Sequence, residues 1–241
     1  MPGRDTDVAR SGETPPLAEM PLFPLNVVLF PHMPLPLHIF EERYKEMVNR
    51  CLAESIPFGV VLITEGAAEG PGTAATRAVG CAARISHVER LADGRMNILV
   101  VGDRRFRLLD THEARAYRTG ITAPLDDAPA DAARVVPLAD DVQKLLRDFL
   151  TRSLAIAGQQ ADDVDLPDEP EQLSFMAACV LPLDNDEKQV LLEGTDTAAR
   201  LAREKEVLLR EVARLRRAVA SVPSEPEPVR SDRFAAYRCE N

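Results

Sequence analysis

The sequence has no tryptophan, only three tyrosines and only four cysteines in 241 residues. No apolar run approaches the roughly 18 residues that a membrane span needs, so no transmembrane helix is expected. Cys51, Cys81, Cys179 and Cys239 stand far apart with no C-x-x-C pair, which argues against a zinc ribbon or a dense disulfide framework. They read as reduced thiols, three of them filling apolar sites. Positive charge is in deficit: 29 Lys and Arg against 39 Asp and Glu, a net charge of −10. That balance repels nucleic acid and anionic lipid at long range, so neither is expected as a partner. Residues 1–19 lack an apolar core of the kind a secretory leader carries, and a cytoplasmic protein is expected.

Catalytic signatures are missing too. No lysine follows a glycine anywhere, so no phosphate-binding P-loop can form. There is no G-x-S-x-G elbow, no H-E-x-x-H and no G-x-G-x-x-G. His32, His38, His87 and His112 are spread without ligand spacing. The acidic stretch DDVDLPDEPE lacks the mid-loop glycine and closing glutamate of a calcium loop and reads as solvated. No metal, cofactor or catalytic residue is expected. In RRFR, alternation would put Arg105 and Arg107 on a wet outer face and Phe106 inside.

What is present changes character once along the chain. Residues 1–19 and 221–241 are polar and proline-bearing and read as flexible tails, with Phe234 and Tyr237 as the apolar exceptions in the second. From 20 to 126 the signals are those of strands. FGVVLI is a short buried run, and RAVGCAARISHVERL and RMNILVVG flank Asp93-Gly94, a strong hairpin signal. RRFRLLDTHE and AYRTGITAPL continue the meander. One helix is expected at 40–55, with Tyr44, Met47, Val48, Cys51 and Leu52 on its inner face. From 139 to 220 the period turns helical. Asp140 or Asp141 is the expected first cap and Gly158 the stop. Asp184 or Asn185 then caps NDEKQVLLEG, and Asp196 or Thr197 opens a long helix. Leu201, Leu208 and Leu215 stripe that helix and are expected to pack within the chain. Strands followed by helices make the class α+β.

The segment MPLFPLNVVLFPHMPLPLHIFEERY packs five prolines into strand-forming sequence. This segment, with FGVVLI, VGCAARISHVERLADGRMNILVVGDRRFRLL and KQVLLEG, resembles the N-terminal substrate-recognition domain of Lon proteases from about residue 21 to 218. The resemblance implies a PUA-like pseudo-barrel of short strands with one packed helix, followed by a C-terminal helical bundle. In such a barrel Pro24, Pro31, Pro34 and Pro36 would break one extended segment at corners and blunt a free edge. The chain reaches Asn241 with neither the ATPase nor the Ser-Lys peptidase module of full-length Lon. It is therefore expected to be a free-standing Lon-domain protein.

The resemblance implies a non-enzymatic adaptor that binds unfolded or exposed polypeptide segments, or a partner protein, as a monomer or weak homo-oligomer. An apolar groove with free strand edges would suit that role, a peptide adding as a further strand. Two other classes compete: a hydrolase with a dispersed site such as His38 with Glu41, and an RNA-associated PUA-like domain. The binding surface is expected near residues 30–40 and a strand edge at 79–85, with Phe30, His32, Met33 and Arg43 as its candidate residues.

Overall fold

The hairpin signalled by Asp93-Gly94 organises the β-rich half. In this computed structural model, which describes residues 18–65, 74–113, 115–159 and 164–220 (side chains to 217), Gly94 takes φ +82°. Arg95 N–H donates to the Asp93 carboxylate and Leu91 N–H to Arg95 O. Six strands form one sheet: β1 (Ala18–Leu25), β2 (Pro34–Ile39), β3 (Phe58–Glu65), β4 (Ala75–Arg90), β5 (Met96–His112) and β6 (Thr119–Pro124). Their order is β2-β5-β4-β3-β1-β6, and β6 also pairs with β5, so five of them close into a ring with β2 added at an edge. The tails expected at 1–19 and 221–241 lie outside the described residues, except that Ala18 and Glu19 already belong to β1.

Two readings of the strands need correction. The meander past Gly102 does not start a new strand, because β5 runs through it and bends at register shifts. Segment 79–85 is not a free edge for most of its length. β4 is paired on both sides up to Ala83, with β3 and β5, and only from Arg84 onward is one side open.

The prolines also sit differently from expected. Pro31 lies in the turn between strands, but Pro24 and Pro36 fall inside β1 and β2 rather than at corners. Each occupies a position where no donor is required. Leu22 N–H donates to Arg118 O, so alternation points the Pro24 nitrogen to that same side, past the end of the β6 pairing. Along β2, Gly102 N–H donates to Met33 O at 3.0 Å. That sets Met33, Leu35, Leu37 and Ile39 as the residues bonded to β5, and leaves Pro34, Pro36 and His38 facing the open edge.

Helix α1 (Glu42–Glu54) lies on the core of the barrel through Tyr44, Met47, Val48 and Cys51. Leu52, expected on that face, is instead exposed at the helix end. The helical half comprises α2 (Ala132–Ile156), α3 (Pro170–Val180), α4 (Asn185–Glu193) and α5 (Thr197–Ala220). Helix α2 begins earlier than the caps at 140–141 would suggest. Asp131 caps it by accepting from Ala133 N–H, and Pro137 is absorbed near its start. There the missing donor forgoes one bond, that to the carbonyl of Ala133. Gly158 ends α2 at φ +72° as expected. Asp184 forms a reciprocal capping box with Glu187, and Asp196 accepts from Ala198 and Ala199 N–H to cap α5. Leu201, Leu208 and Leu215 pack against α2 and α3 within the chain.

The two halves share a small apolar seam in which Val28, Phe30, Leu62 and Val79 of the barrel meet Phe175, Ala178, Leu191 and Leu192. Cys51 and Cys81 are buried and Cys179 half-buried, so three thiols do fill apolar surroundings; Cys239 lies outside the described residues. No helix among the described residues is long and apolar enough to cross a membrane.

Candidate functional site

Where β2 ends and α1 begins, the chain turns sharply enough to leave a cleft of about 110 Å³. Phe23 and Leu25 come from the end of β1, Leu37, His38 and Ile39 from β2, Phe40 and Glu41 from the turn, and Tyr44 from α1. Alternation explains the lining. Leu35, Leu37 and Ile39 point to the core side of β2, and Pro34, Pro36 and His38 to solvent. The floor is aromatic, with Phe23 and Tyr44 ring centroids 4.1 Å apart and Phe58 behind them. The rim is partly open: Leu25 and Leu37 are half-buried and Phe40 is 43% exposed, although it is a large apolar side chain.

The polar groups here are already engaged. His38 Nδ1 lies 2.7 Å from Asn97 Oδ1, and its ring stacks on Phe40. Glu41 pairs with Arg43 at 2.9 Å, and the Arg43 guanidinium covers the Tyr44 ring. Burial raises the Tyr44 hydroxyl above the usual phenol value, with the nearby Arg43 charge opposing it and Glu41 adding to it. That hydroxyl is therefore a poorer nucleophile than usual. No serine, threonine or cysteine lines the cleft. The arrangement can bury apolar side chains, and it lacks a nucleophile–base pair. Among the described residues no cluster of His, Cys, Asp and Glu could hold a metal ion.

A second cleft, of about 240 Å³, lies where the halves meet, bordered by Pro31, His32, Arg104, Glu169, Glu171 and Phe175 among others. Its floor is the point at which Arg105 departs from the outward position expected for it. Arg105 is 3% exposed, because the helical half covers that face of β5. It donates to the carbonyls of Leu192 (2.9 Å) and Gly194 (2.6 Å) and pairs with Asp127. Arg107 is exposed and Phe106 buried, as alternation requires.

The four candidate residues are not brought together. Phe30 is fully buried against Phe175, ring centroids 6.2 Å apart, so it offers no surface and supports the seam instead. His32 is exposed in a left-handed conformation, φ +64°, and borders the second cleft. Met33 is half-buried between two core clusters. Arg43 flanks the first cleft through Glu41 and Tyr44. Leu37 and Phe40 fall within the segment expected at 30–40 but not among the four named residues, and Leu25 lies outside that segment. The signal for Leu37 was its alternation with Pro36 and His38, and for Phe40 its place just before the helical period begins.

A family model for the ATP-dependent protease La (LON) substrate-binding domain matches residues 19–210. The Lon protease of Anaeromyxobacter dehalogenans is 26% identical over 186 residues, which cover 76% of this chain and 22% of that protein. The Lon protease of Escherichia coli (strain K12) is 25% identical over 184 residues, covering 76% and 24%. The chain thus spans about a quarter of the length of the curated relatives it matches. The crystal structure of a Lon N-terminal domain protein from Xanthomonas campestris superposes with a TM-score of 0.57 at 26% identity, covering 77% of this chain and 96% of that one. The N-terminal domain of Mycobacterium avium complex Lon protease shares the fold, with a TM-score of 0.59 at 22% identity, covering 81% and 98%.

Proposed function

Because the chain belongs to the substrate-binding domain family of ATP-dependent protease La (Lon), we propose that it is a non-enzymatic polypeptide-recognition module whose contact surface is the cleft at the β2–α1 turn. The observation that carries this reading is Phe40, a large apolar side chain left 43% exposed at the rim of an apolar cleft. A large apolar side chain bordering an apolar cleft gains when another chain covers both. The closed ring of strands supports the finer description of a PUA-like pseudo-barrel, and the packing of α2, α3 and α5 that of a C-terminal helical bundle.

The module acts in the cytoplasm without ATP hydrolysis or peptide cleavage, on unfolded or exposed segments, as a monomer or weak homo-oligomer. The acidic net charge of −10 supports a partner other than nucleic acid. A hydrolase built on His38 and Glu41 is disfavoured, since those side chains are committed to Asn97 and Arg43.

The test is fluorescence anisotropy of a labelled, reduced and carboxymethylated polypeptide titrated with the full chain. A Kd on the order of micromolar is expected, weakened by Phe40→Ser and Leu37→Ser while the circular dichroism spectrum is retained. Val190→Ser serves as the control, because Val190 is 68% exposed on α4. Absence of binding, or an equal loss from Val190→Ser, overturns the proposal.

A further inference from the structure

We infer that the bound polypeptide adds a short extended segment to the open edge of β4 at 84–90, in the groove between that edge and α1. This deepens the recognition reading above and rests on it. β3 begins at Phe58, opposite Ala83, so beyond Ala83 β4 pairs with β5 alone among the described residues. The lane that β3 leaves vacant is where a further strand would lie.

The backbone groups on that side follow from the register. Leu91 N–H donates to Arg95 O, so Leu91 and Glu89 turn their backbone groups to β5, and Arg90 and Val88 turn theirs outward. Gly102 N–H donates to Met33 O on the β2 side, which turns Val101 to β4. Its partner Arg84 therefore faces β5, and Ile85 faces outward. Ile85, Val88 and Arg90 thus each offer an N–H and a C=O to the open side, and none is proline. The open side of β2 differs, because Pro34 and Pro36 there have no N–H. β4 at 75–78 and β5 at 108–112 are also paired on one side only. In that larger groove Arg118 donates to Ala74 O, Gln189 donates to Val79 O, and the Asp110 carboxylate accepts from Thr111 N–H. Side chains already engage part of the backbone there.

Helix α1 stands along the β4 edge. Asn49 Oδ1 accepts from Arg90 Nη2 at 2.9 Å. Further along the helix, Leu52 and Ser55 border a cleft of about 230 Å³ with Arg84 and Ile85, and Cys51, Ile56 and Pro57 complete its lining. Leu52 is 38% exposed, and Ile56, Ile85 and Val88 are half-buried. A strand in this lane would turn alternate side chains onto that apolar wall and the others to water. The guest is therefore an extended polypeptide segment with apolar side chains at alternate positions. A second copy of the β4 edge fits poorly, since each edge carries its own α1 beside it. The register shift between Ile85 and His87 divides the pairing into two short runs, one at Ile85 and one at Val88 and Arg90.

The experiment is amide hydrogen exchange, read by NMR on the full chain with and without the reduced, carboxymethylated polypeptide. At saturation the amides of Ile85, Val88 and Arg90 should slow by roughly tenfold or more, while those of Arg84 and Glu89 stay as they are. Val88→Pro removes an outward N–H and no bond to β5. It should weaken binding by about tenfold or more with the circular dichroism spectrum retained, and Leu52→Ser should weaken it severalfold. Unchanged exchange at 85, 88 and 90 with the polypeptide bound overturns this inference and leaves polypeptide recognition standing. So does slowing confined to 75–78 and 108–112. Slow exchange at 85, 88 and 90 in the protein alone also overturns it: relief on deleting 221–241 makes the occupant the chain's own tail, and relief on dilution makes it a second copy. Failure of the polypeptide to bind removes the recognition reading and this inference together.

Discussion

Asp127 and Arg200 form a buried ion pair across the junction of the two halves, Arg200 Nη2 donating to Asp127 Oδ2 at 2.7 Å. Asp127 belongs to the linker after β6 and Arg200 to α5. The same carboxylate also receives Arg105 from β5 and the hydroxyl of Thr197. Both guanidiniums lie over the Phe175 ring, at 4.2 Å for Arg200 and 5.1 Å for Arg105. One carboxylate therefore bonds both buried guanidiniums at once.

Removing that charge is expected to be costly. Asp127→Asn removes the carboxylate that bonds both buried guanidiniums and should destabilise the fold by about 3–5 kcal/mol. Urea denaturation measures it: the midpoint should fall with the slope unchanged. A shift no larger than that of an exposed-pair variant such as Arg95→Ala would show that the network contributes little.

The same carboxylate makes stability depend on acid. Burial by itself pushes the Asp127 carboxyl up, but hydrogen bonds from Arg200 and Thr197 and the charges of Arg200 and Arg105 outweigh it, so the net shift is downward. A carboxyl depressed in the folded state contributes its full stabilisation above the unfolded value, about 3.9, and loses it as pH falls through the folded value. Acid unfolding below about pH 4 should therefore be shallower in Asp127→Asn than in the parent.

Glu204 works in the opposite sense. It is fully buried; its Oε1 accepts from Ser174 Oγ at 3.0 Å, and its Oε2 has no partner among the described residues. Burial raises this carboxyl well above the usual range, against smaller downward pulls from the Ser174 bond and the Arg200 charge. Its contribution is therefore complete below the unfolded value, about 4.3, and declines as pH rises through the folded one. Glu204→Gln should match or exceed the parent in thermal stability at neutral and alkaline pH and lose that advantage in acid. A variant less stable than the parent at every pH would contradict this.

Two glycines separate crowding from backbone strain. A Cβ on Gly102 would stand 2.1 Å from the carbonyl oxygen of Phe30, in the loop that leads to β2. Backbone cannot yield there, so Gly102→Ala should cost more than about 2 kcal/mol. Among the described residues a Cβ on Gly158 would meet nothing within 4 Å, but Gly158 holds φ +72°, so Gly158→Ala should cost roughly 1–2 kcal/mol through conformation alone. Equal effects in chemical denaturation would count against this distinction.

Local signals in the chain were legible where one residue decides the geometry. The Asp93-Gly94 turn, the Asp184 and Asp196 caps and the Gly158 stop each rest on a short-range bond or a positive φ. Arg105 was not legible, because alternation tells the two faces of a strand apart but not whether a second layer covers the outer one. Asp127 lies between the strand-rich and helical stretches, where neither period speaks, and its partners are distant in sequence. Leu52 fits the helical stripe, yet it comes to lie at the end of α1, where the barrel no longer covers it. The cleft was half visible: its segment was marked, but Leu25 and Leu37 join only after β1 and β2 are placed beside α1.

The most direct measurement places a photocrosslinking amino acid at position 40 and, separately, at position 190, in the presence of a denatured polypeptide. Both positions carry exposed apolar side chains in the native protein. Polypeptide recognition at the β2–α1 cleft predicts adducts from position 40, competed away by unlabelled denatured polypeptide, and few from position 190. Equal yields at the two positions, or none at position 40, would contradict it.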